Sequence, residues 1–101
     1  MKAFLIVPEA QSVSEVEISG LDDIKALIGF DTIESDNLGS LGDRLYFDEE
    51  CFLRETKGRF QIDKVIPVAG KGVVVGTAED GSALRDVATD IEDLRRRIKY
   101  L

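Results

Sequence analysis

The chain begins with an unbroken apolar run, in which Lys2 is followed by Ala3, Phe4, Leu5, Ile6 and Val7. Residues that are apolar on both faces predict a central strand over residues 3–7, and Pro8, with no N–H to give a ladder, predicts its end. After a short connection, VSEVEIS alternates: Val13, Val16 and Ile18 stand among Ser14, Glu15 and Glu17, with the alternation slipping between 13 and 16. The two segments pair most simply as an antiparallel hairpin. In SGLDDIKALIG the period becomes helical, through Leu21, Ile24, Leu27 and Ile28. Ser19 can cap this helix, Asp22 and Asp23 suit its first turn, and Gly29 can close it in the left-handed conformation. DTIES then reads as a short strand, and DNLGSLGD has the composition of a loop.

RLYF and CFLRE flank three acids, Asp48, Glu49 and Glu50, and their aromatic, leucine and cysteine positions predict two half-buried strands of a hairpin bent at DEE. TKGR is a further turn, and FQIDKVIPVAG runs on in short extended pieces. KGVVVGT carries a continuous β-branched run, which predicts a second central strand over residues 72–75. At the C-terminal end Leu84, Val87, Ile91, Leu94, Ile98 and Leu101 recur at three and four. The charges place the helix start near Asp90: Thr89 with Glu92 forms a capping box, acids crowd the first turn, and Arg95, Arg96, Arg97 and Lys99 crowd the last. The basic cluster is thereby explained as the complement of the helix dipole.

Together these elements predict an α+β domain spanning residues 1–101: an antiparallel or mixed sheet of about five short strands with two helices packed on one face. The expected core is Phe4, Ile6, Leu27, Ile28, Phe47, Val73, Val75, Ile91, Leu94 and Ile98. The 44% hydrophobic and 33% charged composition is that of a globular protein. A single cysteine allows no internal disulfide. The apolar run at the N-terminus is too short for a signal peptide or a membrane span, so the expected location is cytoplasmic, with no membrane partner.

Charge narrows the partners. Residues 1–50 hold three basic residues against twelve acids, a net of −9, while residues 51–101 hold ten against eight, a net of +2. An acidic half repels phosphates, so no nucleic-acid partner is expected. The acids could imitate nucleic acid as a decoy only if they shared one face; surface solvation is the simpler explanation.

Chemistry finds few candidates. Cys51 follows three acids, whose charge opposes a thiolate, and the chain has no histidine to act as base or ligand. Cys51 therefore reads as a small buried side chain, and the adjacent acids lack the spacing of a calcium loop. No catalytic set, metal site or cofactor is assigned. In AGKGVVVG, residues Gly70, Lys71 and Gly72 are the candidate ligand-binding residues, for a phosphate, nucleotide or cation. Their spacing fits neither the dinucleotide fingerprint nor the P-loop, and a turn into a strand and a turn out of it are the simpler explanation of the glycines.

In order, LDDIKALIGFDTIES, LYFDEECFL, GKGVVVGT and ATDIEDL resemble the segments of a family of small uncharacterised proteins carried by phages, plasmids and bacterial genomes. The resemblance covers residues 1 to about 95. The chain departs from it at Phe30, where a second glycine is usual, and at TKGRF, where an asparagine–arginine pair is usual. The resemblance implies no activity, cofactor or site residue. The expected function is a small non-catalytic interaction or regulatory module, whose partner is another protein or a second copy of the chain. A small-ligand binder and an acidic decoy are the alternatives.

Overall fold

The computed structural model of the chain describes residues 1–39, 41–78 and 83–101. Among them are nine strands and two helices. In chain order these are β1 (Lys2–Val7), β2 (Ser12–Glu17), α1 (Leu21–Ile28), β3 (Ile33–Asn37), β4 (Asp43–Asp48), β5 (Arg59–Ile62), β6 (Val68–Ala69), β7 (Gly72–Thr77), β8 (Leu84–Arg85), α2 (Ile91–Arg97) and β9 (Ile98–Tyr100). Six strands form the main sheet in the order β2-β1-β7-β4-β3, with β8 also paired to β7; a second sheet has the order β6-β5-β9. Every pairing is antiparallel. The architecture is α+β, as the sequence predicts.

Both expected central strands are central. β1 lies between β2 and β7, and β7 lies between β1 and β4. Val73, Val74 and Val75 are each 0% exposed, which at about 2 kcal/mol per buried aliphatic side chain makes β7 the axis of the core. Their alternation sorts them to two faces: Val74 joins Phe4, Ile6, Leu45, Phe60 and Leu94, and Val73 and Val75 join Ala3, Ile24 and Ile28. The apparent slip in β2 has the same origin. Pairing is regular from Lys2 opposite Glu17 to Val7 opposite Ser12, and Val13 and Val16, three apart, enter different cores.

Those two cores correct the expectation of helices on one face. Ile24 and Ile28 of α1 seat against one side of the main sheet, whereas Leu94 of α2 seats on the other, alongside Phe60 and Ile62 of the small sheet. A sheet whose central strands are apolar on both faces needs a cover on each side. Of the expected core, Phe4, Ile6, Ile28, Phe47, Val73, Val75 and Leu94 are buried; Leu27, Ile91 and Ile98 are partly buried against it.

Three further local readings change. The hairpin expected at DEE is absent: Cys51–Leu53 is a single turn of 3-10 helix, not a strand. Both edges of β4 are already taken, by β3 and β7, so CFLRE has no ladder to join. At α1 the cap residue is Gly20 rather than Ser19, and Ser19 instead donates its N–H and hydroxyl to Asp23 Oδ2 at 2.7 and 2.8 Å. At α2 the cap is Asp90, whose Oδ2 accepts from the N–H groups of Glu92 and Asp93. Thr89 is committed elsewhere, to the buried Asp43.

The helix also stops earlier than its apolar repeat suggests. Ile98 turns into β9 and pairs with Ile62, so the same apolar side chain that completes a helical pattern serves a strand. Gly76, read as part of the turn leaving the strand, lies inside β7 between Asp43 and Arg85. A Cβ there would stand 2.3 Å from the Asp86 carbonyl oxygen, so the neighbouring chain passes where a side chain would be. The loop read over residues 36–43 includes Ser40, and the polar stretch after Thr77 includes residues 79–82; these lie outside the described residues.

Candidate functional site

Four segments far apart in sequence converge where β1 ends. Pro8 takes the chain out of β1 into a 3-10 turn, Pro8–Ala10. Residues 55–58 run beside that turn, and Gly58 lets them come close: a Cβ on it would lie 2.6 Å from the Glu9 nitrogen. Gly58 in turn accepts the Gly70 N–H through its carbonyl at 3.1 Å, which brings in the turn between β6 and β7. The end of α1 supplies the fourth wall, where Gly29 at φ 93° closes the helix and donates to the Lys25 carbonyl.

Between these segments is a cleft of about 460 Å³. Pro8 and Ile28 are buried beneath it, Val7 and Phe30 are partly buried, and Glu9, Glu55, Lys57 and Lys71 stand exposed around it. Of the candidate ligand-binding residues, Gly70 and Lys71 line the cleft and Gly72 does not. Gly72 has a packing role: a Cβ would lie 2.7 Å from Phe60 Cζ and 3.0 Å from Leu45 Cδ1. Gly70 has φ 78° and faces the Thr56 side chain. Its glycine character is required by the turn itself. Sequence reasoning did not single out Pro8, Phe30, Thr56 or Lys57 as site residues, because no local pattern joins segments this far apart.

The wall bearing Thr56 is held by a buried carboxylate. Asp48, 2% exposed, accepts from Thr32 Oγ1 at 2.5 Å, from Arg54 Nε at 2.9 Å and from the Glu50 N–H at 3.2 Å. Burial by itself pushes the Asp48 carboxyl up, but the hydrogen bonds from Thr32, Arg54 and the Glu50 N–H, with the Arg54 charge, outweigh it. The group is held below the ordinary carboxylate value. Arg54 also reaches Glu50 at 3.2 Å and stacks over Phe30, its guanidinium carbon 4.3 Å from the ring centre. One arginine thus ties residues 48–54 to the aromatic ring at the mouth of the cleft.

Cys51 is buried, as expected, in the core with Phe4, Phe60 and Ala69. The next two residues are not: Phe52 is 54% and Leu53 81% exposed. Arg59 lies over the Phe52 ring at 5.3 Å. This pair of adjacent apolar side chains sits on the turn immediately before the cleft-lining residues.

The charged residues elsewhere are largely accounted for. Arg95 pairs with Glu92, Arg96 with Asp93 at 3.1 Å and Arg97 with Asp63 at 2.6 Å. The acids of the first half are divided: Glu15 and Glu17 are on β2 and Glu34 and Asp36 on β3, at opposite edges of the main sheet. Charges on edge strands discourage edge-to-edge pairing. Among the described residues, no three His, Cys, Asp or Glu side chains gather to hold a metal ion, and no helix is long and apolar enough to cross a membrane. No protein-family model, curated protein or solved structure matches the chain.

Proposed function

We propose that the chain is a non-catalytic interaction module whose partner is another protein, and that Phe52 and Leu53 present its contact face. The observation that carries this reading is the exposed pair Phe52 and Leu53 on an anchored turn. The turn is fixed at one side by buried Cys51 and at the other by Arg54 on Asp48. Exposing two large apolar side chains to water on a held backbone is unfavourable alone and favourable at an interface, where pre-ordering lowers the cost of binding. A cytoplasmic location and kinship with the small phage-, plasmid- and bacteria-encoded family belong to the same proposal, supported by the sequence features that suggested them.

The test compares the protein with its Phe52→Ser/Leu53→Ser variant in affinity capture and light scattering. The substituted side chains are exposed, so the variant keeps its fold. A protein captured by the original chain and lost by the variant supports the reading. Equal capture by both, or a monomer that captures nothing specific, retires it.

A further inference from the structure

The cleft beside the proposed contact face has a charge arrangement of its own. Glu9, Glu55, Lys57 and Lys71 line it, two groups of each sign. None of the four takes part in an ion pair or a side-chain hydrogen bond among the described residues. Arg54, Arg95, Arg96 and Arg97 are all engaged, by contrast. Beneath the charged rim the surface is apolar, with Pro8 and Ile28 buried and Phe30 held by Arg54. The volume of about 460 Å³ falls in the range of roughly 300–1,000 Å³ typical of small-molecule sites.

We propose that this cleft binds a small zwitterion bearing an apolar side chain, a free α-amino acid or a dipeptide. The charge inventory selects that class. A simple anion would gain Lys57 and Lys71 but meet Glu9 and Glu55, and a simple cation would meet the reverse. A ligand with both an ammonium and a carboxylate gains from both pairs, and its apolar side chain covers Pro8, Ile28 and Phe30. Thr56, which lines the same wall, carries a hydroxyl donor and acceptor. Specificity then comes from the polar rim and binding energy from the floor. The inference is independent of the contact-face reading, since it uses neither Phe52 nor Leu53.

The experiment is a thermal-shift and calorimetric titration of the full chain with millimolar phenylalanine, leucine and leucyl-leucine. Glycine, N-acetylphenylalanine, phenylalaninamide and N-acetylphenylalaninamide serve as probes lacking the side chain, the cation, the anion or both charges. A saturable rise in melting temperature with the apolar zwitterions, and little with the four comparison compounds, is expected. The free amino acids against leucyl-leucine show which source of the zwitterion the cleft prefers. Lys71→Glu and Glu55→Lys, both at exposed positions, should each weaken binding roughly tenfold, a loss of about 1.4 kcal/mol, and Lys64→Glu outside the cleft should leave it unchanged. No response to any apolar zwitterion, an equal response to N-acetylphenylalaninamide or N-acetylphenylalanine, or binding indifferent to both rim substitutions would overturn the proposal. Affinity capture through Phe52 and Leu53 is unaffected by any of these results, so the two readings fail separately.

Discussion

Asp43 and Thr89, 46 residues apart, are joined twice: one carboxylate oxygen of Asp43 accepts both the Thr89 N–H at 2.9 Å and its hydroxyl at 2.5 Å. The other oxygen accepts the Ala88 N–H at 2.9 Å. Asp43 is 2% exposed and Thr89 6%. A buried carboxylate at the start of β4 thereby positions the chain that leads into α2.

Removing that acceptor strands buried donors. Asp43→Ala should destabilise the protein by about 3 kcal/mol, because several charge-assisted hydrogen bonds are lost and their donors remain desolvated. Urea unfolding should show the midpoint falling with an unchanged slope. A midpoint within error of the original protein would show that the carboxylate does not hold the α2 approach.

Acid should loosen the wall of the cleft. The folded Asp48 carboxyl lies below its usual value of 3.8, so its contribution is fully present above that value and is lost as pH falls through the folded value. Asp23 is lowered as well, through the Ser19 N–H and hydroxyl, and acts in the same direction. Stability should therefore be insensitive to Asp48 near neutrality and decline below about pH 4. Asp48→Asn should be less stable at neutral pH and show a flatter decline in acid. An unchanged acid limb in that variant would count against the assignment.

Two arginines cover the outer edges of the main sheet. Arg95 Nη2 donates to the Val13 carbonyl of β2 at 2.8 Å, and Arg44 Nη2 to the Ser35 carbonyl of β3 at 3.2 Å. Unpaired edge groups are templates for another strand. The Arg44→Ala/Arg95→Ala double variant should lose only about 1 kcal/mol of stability, since such bonds are partly exposed. It should nonetheless self-associate more readily, as read by light scattering over a concentration series. A variant that stays as monodisperse as the original would show that the edge acids suffice.

Cys51 should be chemically quiet in the folded protein. Its side chain is 4% exposed in the core, so alkylation at neutral pH should be slow and should accelerate with urea in step with unfolding. Rapid modification in native buffer would mean that the turn at Cys51–Leu53 opens locally.

Much of the fold was legible because local patterns carried it. The apolar run ending at Pro8, the helix closed by Gly29, the β-branched run of β7 and the acid-to-base gradient of α2 each state their own geometry over a few residues. Where the reading failed, a distant partner had prior claim. Thr89 could cap a helix, yet it is taken by Asp43; CFLRE could form a strand, yet both neighbours of RLYF were already in place. The candidate site was half legible, through Gly70 and Lys71, while the floor under them comes from Pro8 and Ile28.

The amino-acid sequence alone determined the α+β class, the two central strands and the burial of Cys51, because alternation, helical period and residue chemistry act between near neighbours. Tertiary structure alone decided that the helices cover opposite faces, that the residues after Asp48 turn away from the sheet, and that four rim charges surround one cleft. Those outcomes depend on which strand edges and core faces remain free once the long-range pairings have formed, and no short stretch of chain contains that information.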